Sequence, residues 1–160
     1  MKNLNKLLTT PLNLPQIPKW IPIVFIIVAF IGFADATYLT VKHFQNVIPP
    51  CSIGGCETVL SSKFSEFLGM PVALFGALYY LIIAISLFIF FDTKKEIFLR
   101  IPSLLSVFGL VAAVWFSSLQ AFVIKAFCPY CAVSAVTSLI IFGISAYMIK
   151  KFRISKVDTI

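Results

Sequence analysis

Four cysteines stand in two short pairs: Cys51 and Cys56 in PPCSIGGC, and Cys128 and Cys131 in CPYC. C-x-x-C is a spacing used for thiol–disulfide exchange, in which a thiolate attacks a disulfide sulfur and a mixed disulfide is resolved by the second thiol. Two other readings compete. A structural zinc site wants two close pairs, which C-x4-C and C-x2-C nearly supply; two plain structural disulfides are the third possibility. CPYC favours the dithiol relay, and no metal is expected. Proline is favoured at the first position of a helix, so Pro129 predicts Cys128 at the N-cap of the helix that follows. There the helix dipole favours a thiolate, and Lys125 adds a nearby cation.

The elements that must position these thiols are apolar. Sixty per cent of the 160 residues are hydrophobic, 12% are charged and the mean hydropathy is +1.01. A soluble domain carries about 25% charged residues. Four runs, about 20–42, 71–91, 101–124 and 132–149, reach the roughly 20 residues that a membrane-spanning helix needs. The sequence therefore predicts an all-α integral membrane protein, a four-helix transmembrane bundle over 20–149. Short segments 1–19 and 150–160 flank it, and there is no internal repeat.

Cations set the orientation. Lys2, Lys6, Lys19, Lys94, Lys95, Arg100, Lys150, Lys151, Arg153 and Lys156 fall on one side of the membrane, and only Lys42, Lys63 and Lys125 on the other. Short cytoplasmic loops are rich in Lys and Arg, so both termini are expected in the cytoplasm and all four cysteines on the outer face, where disulfides persist. The net charge of +7 is then a lipid-facing signature, and no nucleic acid is expected as partner. Lys2, Lys6 and Ala34-Asp35-Ala36 imitate a cleavable signal peptide. The prolines at 11, 15 and 18, and an apolar run that continues past the site, predict that the first span is retained.

Glu57–Leu68 sets Val59, Leu60, Phe64, Phe67 and Leu68 near one face of a short outer-surface amphipathic helix; a loop anchored by aromatics is the alternative. Asp35 lies inside the first span. An acid there is costly and is by default a functional hypothesis, with a buried, hydrogen-bonded carboxyl as the plain alternative. His43, the sole histidine, reads as an interfacial anchor.

The arrangement of a loop C-x4-C, two spans and a C-x-x-C opening the fourth helix resembles the bacterial homologues of the vitamin K epoxide reductase family. CSIGGCETVLSS followed by GMPVALFGALYY is similar to that family's loop and second helix, and CPYCAVSA to its active-site motif. The functionally analogous DsbB family has the two cysteine pairs in the reverse order. Many bacterial homologues carry a fused thioredoxin-like domain after the bundle; here IKKFRISKVDTI follows the last span, so a stand-alone form is expected.

The resemblance implies a bundle around a quinone, menaquinone or ubiquinone. Cys128 and Cys131 would be the active-site pair and Cys51 and Cys56 the shuttle pair. Cys51 would meet a secreted or membrane-tethered thioredoxin-like protein, Cys56 would pass electrons to Cys128, and Cys131 would act at the quinone. A quinone ring suits a mostly apolar pocket with a few polar groups. The candidates are Asp35, Tyr79, Tyr80, Ser117, Gln120, Ser134 and Thr137, with Ser62 at the polar end of VLSS. The vertebrate members have a tyrosine where this chain has Ala135, and a polar side chain near the position of Val72. Both departures favour a respiratory quinone over vitamin K epoxide. The expected function is a thiol:quinone oxidoreductase of the cytoplasmic membrane that supplies disulfides outside the cell's interior.

Overall fold

Four long apolar helices make up most of the computed structural model, which describes residue 18 and residues 20–51, 54–93 and 97–157. In chain order they are α1 (Trp20–Phe44), α3 (Val72–Thr93), α4 (Ile97–Ser118) and α5 (Pro129–Val157), with a short helix α2 (Cys56–Leu60) after the first loop. A π-helical segment, Leu119–Ile124, continues α4. A two-stranded hairpin, β1 (Glu66–Phe67) and β2 (Met70–Pro71), leads into α3. Segment 1–19 apart from Pro18, and the loop cations Lys94 and Lys95, lie outside the described residues.

All four long helices are long and apolar enough to cross a membrane. In hydrocarbon every backbone N–H and C=O needs an internal partner, which the helix supplies. The helices form a ring in which α1 packs on α3 and α5, and α4 packs on the same two. Four crossings bring the 45–71 loop and the 125–128 junction, hence all four cysteines, to one end of the bundle.

The core alternates by helical period along α1: Ile21, Phe25, Val28, Ala29 and Ala36 are buried against Ala77, Tyr80, Ile83 and Leu87 of α3 and Ile141 and Met148 of α5. Gly32 sits within this stripe, and a Cβ there would overlap the Tyr80 ring; small residues at such seams let membrane helices approach closely. α1 runs without a break through Ala34-Asp35-Ala36, so the first span is a wall of the bundle. Phe88, Leu104 and Phe122 are exposed on the outside of the bundle, as lipid-facing side chains are.

The amphipathic helix anticipated over Glu57–Leu68 extends only over Cys56–Leu60. Three serines end it. Ser61, Ser62 and Ser65 donate their hydroxyls to the carbonyls of Glu57, Val59 and Ser62, the local bonding by which serine competes with a helix. Leu68 and Gly69 then take φ of 55° and 77°, the two left-handed residues of a tight hairpin turn. Phe64, Phe67 and Leu68 end up exposed, with only Val59 of the expected apolar face fully buried. The fourth helix is longer than its apolar run, opening at Pro129 and continuing to Val157.

Candidate functional site

Cys128 is the N-cap of α5. Pro129 is the first helical residue, and the Cys128 carbonyl accepts the first helical bond, from the Ala132 N–H at 3.1 Å. Its own N–H donates to Gln120 Oε1 at 3.1 Å. Gln120 reaches it from the π-helical segment, whose wider turn ends at Lys125 in the left-handed region, φ 53°. Such π turns recur at functional sites because they re-aim side chains.

The four sulfurs are gathered here. Cys51 and Cys56 form a disulfide, while Cys128 and Cys131 are free thiols. Cys128 Sγ lies 3.6 Å from Cys56 Sγ, and both residues are fully buried in one small cluster with Val59. With two sulfurs joined, the pairs cannot act together as four thiolate ligands in this state. A thiolate at Cys128 is within reach of a disulfide sulfur, which is the starting geometry for exchange.

Cys128 is held as that thiolate. The Cys131 thiol hydrogen-bonds it and the N–H groups of Cys131 and Tyr130 face it, outweighing the opposing effect of burial and lowering its pKa from 9.0 to about 6. These are the donors of the first helical turn. The cation of Lys125, expected from the sequence to contribute, points into solvent; the helix terminus and the second thiol supply the effect.

Behind the cysteines, at the same end of the bundle, is a cavity of about 360 Å³. Its walls are mostly apolar, with Leu39, Val72, Phe75, Phe108, Ala112, Phe116 and Ala135 among them. Cys131 lines it and Cys128 does not. Of the polar residues singled out in the sequence, Asp35, Ser62, Tyr79, Tyr80, Ser117, Gln120 and Ser134 all line it.

Thr137 stands behind the wall. It is buried and lies 2.7 Å from the Tyr80 hydroxyl, which also donates to the Ser134 carbonyl at 2.8 Å and lies 3.0 Å from Ser138 Oγ. Thr137 therefore fixes Tyr80 rather than facing the cavity. One polar atom in the wall, Asp35 Oδ2, has no hydrogen-bond partner among the described residues, and the Tyr79 hydroxyl has Ser138 beside it. Buried polar atoms are nearly always bonded, so Asp35 Oδ2 stands out in an otherwise mostly apolar wall.

His43 and Ser138 also line the cavity, and the sequence reading had not put them there. His43 does more than anchor an interface: its Nε2 is 3.3 Å from Glu66 Oε1 of the hairpin, tying the outer end of α1 to β1. The signal was available, because Asp35, Leu39 and His43 are spaced by four and share one helical face. Ser138 is four residues after Ser134 by the same rule.

The sequence model described as the Vitamin K epoxide reductase family matches residues 23–146. Among curated proteins none matches the chain.

Proposed function

Since the chain belongs to the vitamin K epoxide reductase family and is a membrane oxidoreductase, we propose that it transfers electrons from a thioredoxin-like protein to a quinone and so supplies disulfides. The observation that carries this reading is the division of labour within CPYC. Cys128 touches the Cys51–Cys56 disulfide at 3.6 Å, and Cys131 lines the cavity.

In the proposed cycle a reduced thioredoxin-like partner attacks Cys51, breaks the Cys51–Cys56 bond and departs as a disulfide, leaving two electrons on the shuttle pair. Cys56 then attacks Cys128 of an oxidised CPYC pair and displaces Cys131 as a thiol. Cys51 resolves the Cys56–Cys128 link by attacking Cys56, which displaces Cys128. The result is a Cys51–Cys56 disulfide with free thiols at Cys128 and Cys131, the redox state of the present structure.

A bound quinone supplies an acceptor for two electrons and two protons. The cavity suits it in size, in its apolar walls and in the unpartnered Asp35 Oδ2. The Cys128–Cys131 disulfide closes as the two electrons leave. At neutral pH Cys128 is already ionised, with its pKa at about 6, so the pair retains only the Cys131 proton. The second proton needs another carrier, and the Asp35 carboxyl in the same wall is suited to hold and pass it. Tyr80, locked by Ser134, Thr137 and Ser138, keeps the floor of the cavity fixed. Ala135 and Val72 also line the cavity, so the two departures from the vertebrate pattern bear on ligand choice and favour an ordinary respiratory quinone.

The excess of cations in the segments before the first span, between the second and third and after the fourth supports a cytoplasmic location for the termini, with the cysteines on the outer face of the cytoplasmic membrane. Anaerobic mixing of the purified protein with a reduced thioredoxin-like protein and menaquinone or ubiquinone analogues tests the reading. Stoichiometric quinone reduction with partner oxidation is expected; partner oxidation without quinone reduction would overturn it.

A further inference from the structure

We infer that Tyr130, the residue between the two CPYC cysteines, is a latch that keeps the shuttle loop docked and so governs how often Cys56 is presented to Cys128. The inference rests on the relay proposed above but concerns a side chain that takes no part in its chemistry.

The Tyr130 hydroxyl donates to the Pro50 carbonyl at 3.1 Å. Pro50 immediately precedes Cys51, and neither it nor Pro49 has an N–H to offer. The Pro50 carbonyl is therefore the handle by which this arm of the loop is held. On its other side the Tyr130 ring packs against Tyr38 of α1, centroids 5.6 Å apart, and Lys42 Nζ stands 5.7 Å from the centroid of the Tyr38 ring. Tyr130 thus bridges the outer end of α1, the first turn of α5 and the shuttle loop.

The far arm of the loop is seated differently. Gly55 takes φ 101°, and a Cβ on it would come within 3.0 Å of the Phe127 carbonyl. Backbone therefore lies close against backbone where the loop meets the CPYC junction. Contact at Gly55 brings Cys56 to Cys128; once the Cys51–Cys56 disulfide is reduced, the hydrogen bond at Pro50 holds the Cys51 side. A bond of this kind at a partly exposed edge is weak, and its loss shifts a two-state equilibrium roughly 2- to 12-fold. That is the strength a reversible latch requires, because Cys51 must also leave the bundle surface to meet a separate protein.

The test uses the full chain in lipid nanodiscs with Tyr130→Phe, which keeps the ring and removes the hydroxyl. In a Cys51→Ser background, formation of the Cys56–Cys128 disulfide should slow by roughly 2- to 12-fold. In the otherwise wild-type reduced protein, labelling of Cys51 by a bulky membrane-impermeant maleimide should accelerate by a similar factor while labelling of Cys131 stays constant. A merely structural role would loosen the bundle and raise both labelling rates together, which would overturn the latch, as would an unchanged Cys51 rate. Failure of the Cys51→Ser parent to form any Cys56–Cys128 link would instead count against the relay, and the labelling experiment would still decide the latch.

Discussion

Cys128 Sγ stands 3.6 Å from Cys56 Sγ, with both side chains sealed from solvent, although 72 residues of sequence separate them. Exchange between them needs only a small approach, because the sulfurs are already in van der Waals contact. Each single cysteine variant should therefore stop the relay at a different point. Cys51→Ser should accumulate the Cys56–Cys128 link, since nothing remains to resolve it. Cys56→Ser should leave Cys51 joined to the thioredoxin-like partner. Non-reducing peptide mapping reads both, and a partner adduct on Cys56 in the Cys51→Ser protein would reverse the roles within the loop pair.

Cys128 should titrate far below an ordinary thiol. The thiolate ultraviolet absorbance of the protein with Cys128 and Cys131 reduced should rise with a midpoint near pH 6, the value its surroundings impose. Cys131→Ala removes the largest cause, the Cys131 thiol hydrogen bond, and should move the midpoint upward. The folded state holds the thiolate while the unfolded chain still holds the proton between about 6 and the ordinary 9.0. The stabilising contribution of Cys128 is thus complete above pH 9 and is lost as pH falls through 6. A midpoint near 9 in the intact protein would contradict the N-cap geometry.

Asp35→Asn keeps the shape of the side chain and removes its capacity to exchange a proton. Quinone reduction should slow by roughly 10²-fold or more, the usual scale for a proton-transferring group. Formation of the Cys56–Cys128 link in the Cys51→Ser background should continue at the parent rate. Equal loss of both rates would reduce Asp35 to a structural residue.

The spans, the gathering of both cysteine pairs at one end of the bundle and several polar residues of the cavity wall were legible from sequence for a physical reason. Hydropathy is a property of composition, and motif spacing fixes which end of a helix each thiol occupies. The π-helical segment at Leu119–Ile124 was not legible, because nothing in LQAFVI distinguishes a π turn from the α-helix before it. Thr137 illustrates a finer limit: its polarity made it a candidate for the pocket, but a hydroxyl 2.7 Å from that of Tyr80 is a support behind the wall. The extent of the Cys56–Leu60 helix depended on serine hydroxyls choosing backbone carbonyls, a competition that apolar periodicity does not report.

Two glycines on membrane helices should respond oppositely to the same substitution. A methyl group at Gly32 would overlap the Tyr80 ring, whereas one at Gly143 meets nothing within 4 Å. Overpacking a filled seam costs about 1–3 kcal/mol, and here it would also push Tyr80 against its bonds to Ser134, Thr137 and Ser138. Gly32→Ala should lower the midpoint of thermal unfolding in detergent, and Gly143→Ala should leave it unchanged or raise it slightly through better helix propensity. Equal behaviour of the two variants would mean that the α1–α3 seam is loose.

Topology gives the last prediction. α1 ends at Phe44 and α3 begins at Val72, so the loop between them shares one end of the bundle with the 125–128 junction. Along the chain the cation-rich segments precede the first span, join the second to the third and follow the fourth. Lys and Arg are retained in the cytoplasm when short loops insert. A reporter enzyme that is active only outside the cytoplasm should therefore work when fused after Gln45 and fail after Lys95 or Arg153. Activity after Lys95 would invert the bundle and put both cysteine pairs in a reducing compartment, where a Cys51–Cys56 disulfide is not expected to persist. Because the two cysteine pairs are joined through the 3.6 Å contact of Cys56 and Cys128, they can only be inverted together. The Gln45 fusion therefore reports on the whole relay.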